Sequence, residues 1–535
     1  MARCLFRIGL MVLLGAVGPA VAADGPPPIT KVEIGANREF RVNGEPMFPI
    51  MAWLQGAEKF PLVRECGMNT VAGYWPGSSN TKDAGEFLEL VKEAGFYGVM
   101  PFDKQLKGDP GLLGYIHDDE PDLPHLVSDA EIIPAESLKV NARTPLWKLV
   151  DGVTHSWSVL DPLEGASVTI KLKKPVTVEK LAVWLTISSG LSAAKEVSFA
   201  TEGKEILRAT LEDKKGRQEF ALSGPVTLKD LTLTVHAIHR KESQWGSIGE
   251  IEGFDAAGND VLASPPRNEP RSTPETTLEH YRAIKAADPS RPVFMTLTGN
   301  LHPHFDKWTD TQRNELYPQF IQASDVVGYD IYPIYGWNKP EWIYLVHDAT
   351  SLLTSLAGNR PVYAWIETSR GGQWTGELER QKEVKPEHIR AEVWMAICGG
   401  ATSIGYFTHI WKPRFDSFGA PEENRKALRE INDQITRLAP AILANGADRR
   451  VSIRAEGEVK LAVLAKQHEG DVWLFAVNYD ERLPRAEAVV SVEGLEAGQT
   501  VTVVDEERTV RSEAGAFRDV FEPLAVHIYR VSPSR

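Results

Sequence analysis

The sequence predicts an α/β fold: a (β/α)8 barrel interrupted by one β-sandwich and followed by another. Three observations predict it. Eight short runs are apolar at nearly every position, the pattern of strands buried on both faces. Helical patterns follow several of them. Two further blocks alternate apolar and polar residues through many short runs with no helix between, as sheets with one wet face do.

The elements follow in chain order. "MARCLFRIGLMVLLGAVGPAVAADG" carries Arg3 and Arg7, then an apolar stretch, then small residues at Ala20 and Ala22. That is the form of a secretory signal peptide over 1–22, cleaved before Ala23, and it places the mature chain outside the cytoplasm, secreted or periplasmic. The apolar stretch is short and interrupted by Gly and Pro, unlike a membrane anchor, and no later run is long and apolar enough to span a bilayer. Barrel strands are expected at 47–53, 69–75, 96–102, 112–119, 292–298, 325–334, 361–368 and 402–411. Only about eight residues separate the third run from the fourth, so the third helix is missing or reduced. The barrel therefore occupies 31–124 and 269–446. Between its halves, 125–268 reads as an inserted β-sandwich, with runs such as "SVTIKLKKPVTVEKLAVWLTI" and "LKDLTLTVHAI". From 447 to 535, runs such as "DVWLFAVNYD" and "LAVHIYRVS" form a C-terminal sandwich.

Composition narrows the function. The 535 residues are 42% hydrophobic and 25% charged, ordinary for a globular protein, with a formal net charge of −14. Nothing supplies the basic face that nucleic acid requires, and a neutral substrate is the easier fit. After signal cleavage only Cys66 and Cys398 remain. Both sit among apolar neighbours in helical patterns and read as buried free thiols. No Cys/His spacing suggests a metal, and no cofactor is called for.

In a barrel of this class the chemistry sits at the C-terminal ends of the strands. The fourth strand ends in "GYIHDDEPD", which puts Asp118, Asp119, Glu120 and Asp122 within five positions. The sixth offers Asp330 and Tyr332, the seventh ends in Glu367, and the eighth in His409 and Trp411. The first two contribute Trp53, Tyr74 and Trp75. Two carboxylates across a barrel mouth suit glycosidic-bond hydrolysis, one protonating the leaving oxygen and the other attacking the anomeric carbon or activating water. Asp118 and Asp122 read as turn or cap residues, and His117 reads equally as barrel packing or as part of the site. An ion pair with Arg370 is the structural alternative for Glu367. The aromatics could be core, yet Trp337 and Trp374 fall in loops, where stacking on sugar faces gives them a purpose.

Glutamates at the ends of strands four and seven resemble those of clan A glycoside hydrolases, the retaining barrel enzymes, and "REFRVNGEPMFPIMAW" resembles the first strand of β-galactosidase-like members. That resemblance implies Glu120 as acid/base, Glu367 as nucleophile, and Tyr332 as a hydrogen-bond partner of the nucleophile. The expected substrate contacts are Asp119, Trp53, Trp75, Tyr332, Trp337, Trp374, His409 and Trp411. The expected function is retaining hydrolysis of β-glycosidic bonds in a neutral oligo- or polysaccharide. One departure stands out: Asp119 occupies the position where the clan usually has Asn. An adjacent Asp-Glu pair instead resembles substrate-assisted N-acetylhexosaminidases, in which Asp orients the acetamido group and Glu is the acid. A carbohydrate-binding protein on a degenerate barrel is the third reading. "LVDGVTHSWSV", "ASVTIKLKKPVTVEKLAVWL" and "GSIGEIEGFD" resemble discoidin-like domains, the coagulation-factor type C modules, which implies a jelly-roll-like insert that binds glycan.

Overall fold

The computed structural model describes residues 25–533 apart from 188, 189 and 481. The expected signal peptide over 1–22 lies outside the described residues. The chain divides into two compact units, Pro124–Pro270 and the remainder. No helix among the described residues is long and apolar enough to cross a membrane.

The larger unit is built on a closed parallel barrel of eight strands. They are β1 (Ile50–Trp53), β2 (Thr70–Ala72), β3 (Tyr97–Pro101), β4 (Leu112–Ile116), β5 (Val293–Thr298), β6 (Val326–Asp330), β7 (Val362–Glu367) and β8 (Ser403–Phe407). Each lies within a run that the apolar pattern marks. The observed strands stop earlier at several C-terminal ends, because residues such as 331–335 and 408–411 leave the sheet and turn into the mouth. Seven α-helices occupy the connections: α1 (Phe60–Glu65), α2 (Ala84–Glu93), α3 (Pro274–Ala287), α4 (Asp310–Gln322), α5 (Leu345–Leu356), α6 (Pro386–Cys398) and α7 (Glu422–Ile442). Between β3 and β4 there is only a single 3-10 turn at Lys104–Leu106. Helix starts follow ordinary capping chemistry: the Asp83 side chain accepts from the Glu86 amide at α2, and Thr309 with Gln312 forms a capping box at α4.

Alternate strand residues fill the barrel interior. Tyr363 and Trp365 of β7 point inward with Trp53, Val99, Leu113 and Phe294. Two glycines make this packing fit. A Cβ on Gly328 of β6 would lie 2.2 Å from the Tyr363 ring, and one on Gly405 of β8 would lie 2.0 Å from the Trp365 ring. The Trp365 indole N–H donates to Thr296 Oγ1 at 3.1 Å, so this large polar aromatic is satisfied inside the barrel. A three-stranded sheet over 32–47 closes the opposite end, with Phe40 stacked on Phe294 at 5.6 Å.

The C-terminal sheets of this unit hold six and three strands. They share the barrel's apolar core through α6, whose run Ala391–Ile397 is buried throughout. Trp394 stacks on Phe475 with centroids 5.6 Å apart and planes 13° from parallel. Cys66 and Cys398 are both free, and the Cys398 thiol donates to the Phe475 carbonyl at 3.3 Å.

The smaller unit contains sheets of six and three strands, dominated by the paired long strands Ser167–Leu185 and Gly216–Ile238 around their own core. Its first and last strands, Pro124–Val127 and Arg267–Pro270, pair antiparallel. Ends held side by side allow a domain to be inserted without stretching its host.

The α6 interface makes one consequence measurable. Trp394→Ala empties a large volume between the barrel and the C-terminal sheets and is expected to cost about 3–5 kcal/mol. Denaturant unfolding followed by tryptophan fluorescence checks it. Barrel and C-terminal sheets should unfold in one transition that shifts as a whole in the variant.

Candidate active site

The ends of β4 and β6 carry the carboxylates of the mouth. After Ile116 the chain reverses through Asp118–Glu120, and Glu120 adopts φ 51°, a left-handed conformation that bulky L-residues rarely accept. Such strain persists only where surrounding contacts hold it. Here they do. Arg271 donates to the Asp119 carbonyl at 2.6 Å and sets its other terminal nitrogen 3.6 Å from Glu120 Oε2. Its own backbone N–H donates to the Leu123 carbonyl, and Ser272 N–H donates to Pro121.

Asp122 lies beneath this turn. It is not a solvated turn residue: it is buried, and its carboxylate accepts from the Thr298 amide at 2.8 Å, the Thr298 hydroxyl at 2.7 Å and the Tyr317 hydroxyl at 2.9 Å. One side chain thereby ties the β4 turn to the end of β5 and to α4. Burial outweighs these donors and pushes its carboxyl up to about 6.

Asp330, at the end of β6, hydrogen-bonds with Glu120. Burial raises the Asp330 carboxyl well above the usual range, and the charges of Glu120 and Asp119 add to the effect. Asp119 reaches solvent yet is surrounded by protein, as a carboxylate lining a concavity is; desolvation and then Glu120 push it up to about 7. Tyr332 belongs to the same group. Burial raises its hydroxyl, followed by the fields of Asp330, Asp119 and Glu120. Its electrostatic partners are thus the β4 and β6 carboxylates, not Glu367.

Glu367 sits differently from the expected nucleophile. No part of it reaches solvent. Its oxygens accept from the Ile334 amide at 2.9 and 3.1 Å and from the Tyr335 amide at 2.6 Å. Its remaining partner is Glu392 on α6, also fully buried. Two adjoining carboxyls, both buried, share a proton because like charges so placed cannot both ionise cheaply. Burial and the Glu367 charge hold the Glu392 carboxyl well above the usual range, so Glu392 keeps the proton and donates. Burial also raises Glu367, to about 7, against the opposing pull of the Ile334 amide and Glu392. The ion pair with Arg370 does not form; Arg370 lies 3.3 Å from Glu383 instead.

The expected aromatic substrate contacts are spread over four places. Trp75, His409 and Trp411 gather with Phe415 and Phe407, the His409 ring 5.8 Å from Trp75 and 5.7 Å from Trp411. His409 Nε2 donates to the Trp53 and Leu54 carbonyls, and burial lowers its titration to about 4, so it stays neutral. Trp53 is a floor residue, buried against Trp365 at 5.0 Å. Trp337 belongs to a second aromatic group, 5.1 Å from Phe305 and 6.2 Å from Trp342. Trp374 is 87% exposed, on a loop that Gln381 pins through the amides of Gly371 and Gly372. His117 is packing: its Nε2 bonds the Ala323 carbonyl at 2.8 Å, and burial lowers its titration to about 4.

Arg271, Glu392, Tyr317 and Thr298 escaped the sequence reading. Glu392 alone carried a signal, a single carboxylate inside the apolar run "AEVWMAI".

No family description and no curated protein matches the chain. Among solved structures, the family 32 carbohydrate-binding module of C. perfringens NanJ, determined with galactose, is 12% identical; the match covers 24% of this chain and 97% of that one at a TM-score of 0.20. The family 32 module of AlyQ, determined with 4,5-unsaturated mannuronic acid, is 13% identical, covering 26% and 100% at 0.19. An Anoxybacillus α-amylase is 12% identical, covering 50% and 57% at 0.34. Likenesses this partial do not identify a family.

The buried carboxyls make stability depend on pH. Asp122 and Glu367 rise from unfolded values of 3.8 and 4.5 to about 6 and about 7. The folded state then binds more protons than the unfolded one across that window, so their contribution is full below about 4 and is lost as pH rises through 6 to 7. Glu392→Gln replaces the shared proton with an amide N–H that does not titrate. It is expected to stabilise the protein by about 1–3 kcal/mol at pH 8 and to change little at pH 5. Thermal melts at the two pH values check this.

Proposed function

We propose that the protein is an exported (β/α)8-barrel glycoside hydrolase that cleaves N-acetylhexosaminides with help from the substrate's own acetamido group. One observation carries the reading: Asp119, Glu120 and Asp330 stand together at the strand ends, with Asp330 hydrogen-bonded to Glu120, whereas Glu367 is enclosed with Glu392. Double displacement needs a second carboxylate about 5–5.5 Å from the acid, free to attack the anomeric carbon. The seat of Glu367 does not favour that role.

The chemistry follows from the cluster. Glu120 protonates the glycosidic oxygen as the bond to the anomeric carbon breaks. The acetamido carbonyl oxygen attacks that carbon and forms a cyclic oxazolinium. Asp119 accepts the acetamido N–H and stabilises the positive charge that develops there. Glu120, now ionised, takes a proton from water as the water opens the ring, which restores both groups. Asp330 keeps a proton within reach of Glu120, and Tyr332 places a hydroxyl beside the same carboxylates. The aromatic groups around Trp75 and Trp411, and around Trp337, supply faces for sugar rings. The inserted sandwich is read as a glycan-binding module, and the signal peptide as the means of export.

A panel of aryl hexosaminides, with and without the N-acetyl group and in both anomeric configurations, tests the reading. Only N-acetylated substrates should turn over. Glu120→Gln should lower kcat about 10²–10⁴-fold on poor leaving groups, and Asp119→Asn should lower turnover of N-acetylated sugars about 10²-fold. Glu367→Gln should keep kcat within about tenfold near neutral pH. An inactive Glu367→Ala variant that azide restores, giving a glycosyl azide of inverted configuration, would overturn the proposal in favour of double displacement through Glu367.

A further inference from the structure

The three-stranded C-terminal sheet carries a feature that the barrel chemistry does not use. Its strands are Val451–Ala455, Ala486–Val492 and Ala516–Phe521. Arg454, Val489 and Arg518 stand directly opposite one another across them. Strands about 4.8 Å apart place the two arginines about 10 Å apart across the valine. With Arg485, Glu456 and Glu487 they line a concavity of about 510 Å3. Arg518 lies 3.7 Å from Glu487, and Arg485 is paired with Glu522 at 2.8 Å. Among the described residues, no carboxylate lies within ion-pair distance of Arg454.

Three guanidiniums around one aliphatic floor stand out in a chain of net charge −14. A guanidinium grips an oxyanion through two parallel N–H donors, and Val489 offers the apolar contact that a sugar ring face seeks. We infer that this concavity binds glycans bearing carboxylate or sulfate groups, holding a polymer on the protein away from the catalytic mouth. The choice of a glycan rests on the hydrolase reading above. Nucleic acid is the poorer fit, because three arginines interspersed with Glu456, Glu487 and Glu522 neutralise few phosphates. The competing explanation is that exposed arginines on edge strands only block edge-to-edge association.

Titration calorimetry on the intact protein separates these outcomes. The probes are a polygalacturonate oligosaccharide, a sulfated galactan oligosaccharide, a carboxyl-reduced galacturonate oligomer and a single-stranded oligonucleotide. One or both anionic oligosaccharides should bind, more weakly as salt rises, and the R454Q/R518Q double variant should lose at least about tenfold in affinity. Which of them binds tells carboxylate from sulfate. Equal binding of the neutral oligomer, undiminished binding in the double variant, preferential binding of the oligonucleotide, or no binding at all would overturn the inference. Hydrolysis of small aryl substrates keeps the two readings apart, because the double variant should leave it unchanged. Binding through Arg454 and Arg518 without any hydrolysis defeats the proposed activity alone; hydrolysis without binding defeats this site alone.

Discussion

The mouth of this barrel depends on a buried carboxylate that does not itself face substrate. Glu367 gathers the Ile334 and Tyr335 amides and the Glu392 carboxyl around one negative charge. The two amides belong to the segment that leaves β6, which also carries Tyr332. Fixing Ile334 and Tyr335 fixes the path from Asp330 through Tyr332, and so the wall against which Glu120 and Asp119 stand. An isolated carboxylate could not do this without water, since burying one unpaired charge is prohibitive. A second carboxyl that retains its proton supplies the missing donor, at the cost of a site that weakens when the proton leaves.

The molecule pairs carboxyls twice, in different surroundings. Glu367 and Glu392 share a proton between β7 and α6, where both are fully buried. Asp330, its carboxyl raised by burial, hydrogen-bonds with Glu120 beside an Asp119 that reaches solvent. Burial is the leading cause of the raised values of Glu367, Glu392 and Asp330, and accessibility separates scaffold from reagent. Asp122 takes a third course. It is equally buried, but three donors from Thr298 and Tyr317 satisfy it without a second carboxyl.

These distinctions set how far the sequence could be read. All eight barrel strands were legible, because a strand buried on both faces must be apolar throughout and few other local structures of that length are. The short β3–β4 connection was legible for a steric reason: eight residues do not hold a helix and both of its turns. Glu120, Asp119 and Tyr332 stood out because strand ends are where a barrel exposes function. The role of Glu367 was not legible. A glutamate at a strand end looks the same in sequence whether its side chain meets solvent or a neighbouring loop's amides, and the deciding residue, Glu392, is 25 positions away on the next helix. Asp122 misled for a similar reason: local sequence suggested a turn, and its partners come from β5 and α4. Arg271 was hidden by about 150 residues of inserted sandwich.

That insertion explains why the strained turn persists. Glu120 in a left-handed conformation costs on the order of 1–3 kcal/mol, and a free loop would relax it. The chain instead leaves the barrel at Leu123 and re-enters at Arg271, with Arg271 N–H on the Leu123 carbonyl and Ser272 N–H on Pro121. Those two bonds close the break in the barrel as a short hairpin would. They also bring a guanidinium onto the Asp119 carbonyl and beside Glu120. Its charge moderates the repulsion among four carboxylates in five positions. The crowding of like charge that the sequence shows at 118–122 is therefore divided in space: Asp122 is buried on β5 and α4, Asp118 and Asp119 reach solvent, and Glu120 stands beside the Arg271 cation and hydrogen-bonds with Asp330. That last arrangement holds Glu120 in a fixed position beside a carboxyl that burial keeps protonatable, as an acid at this strand end requires.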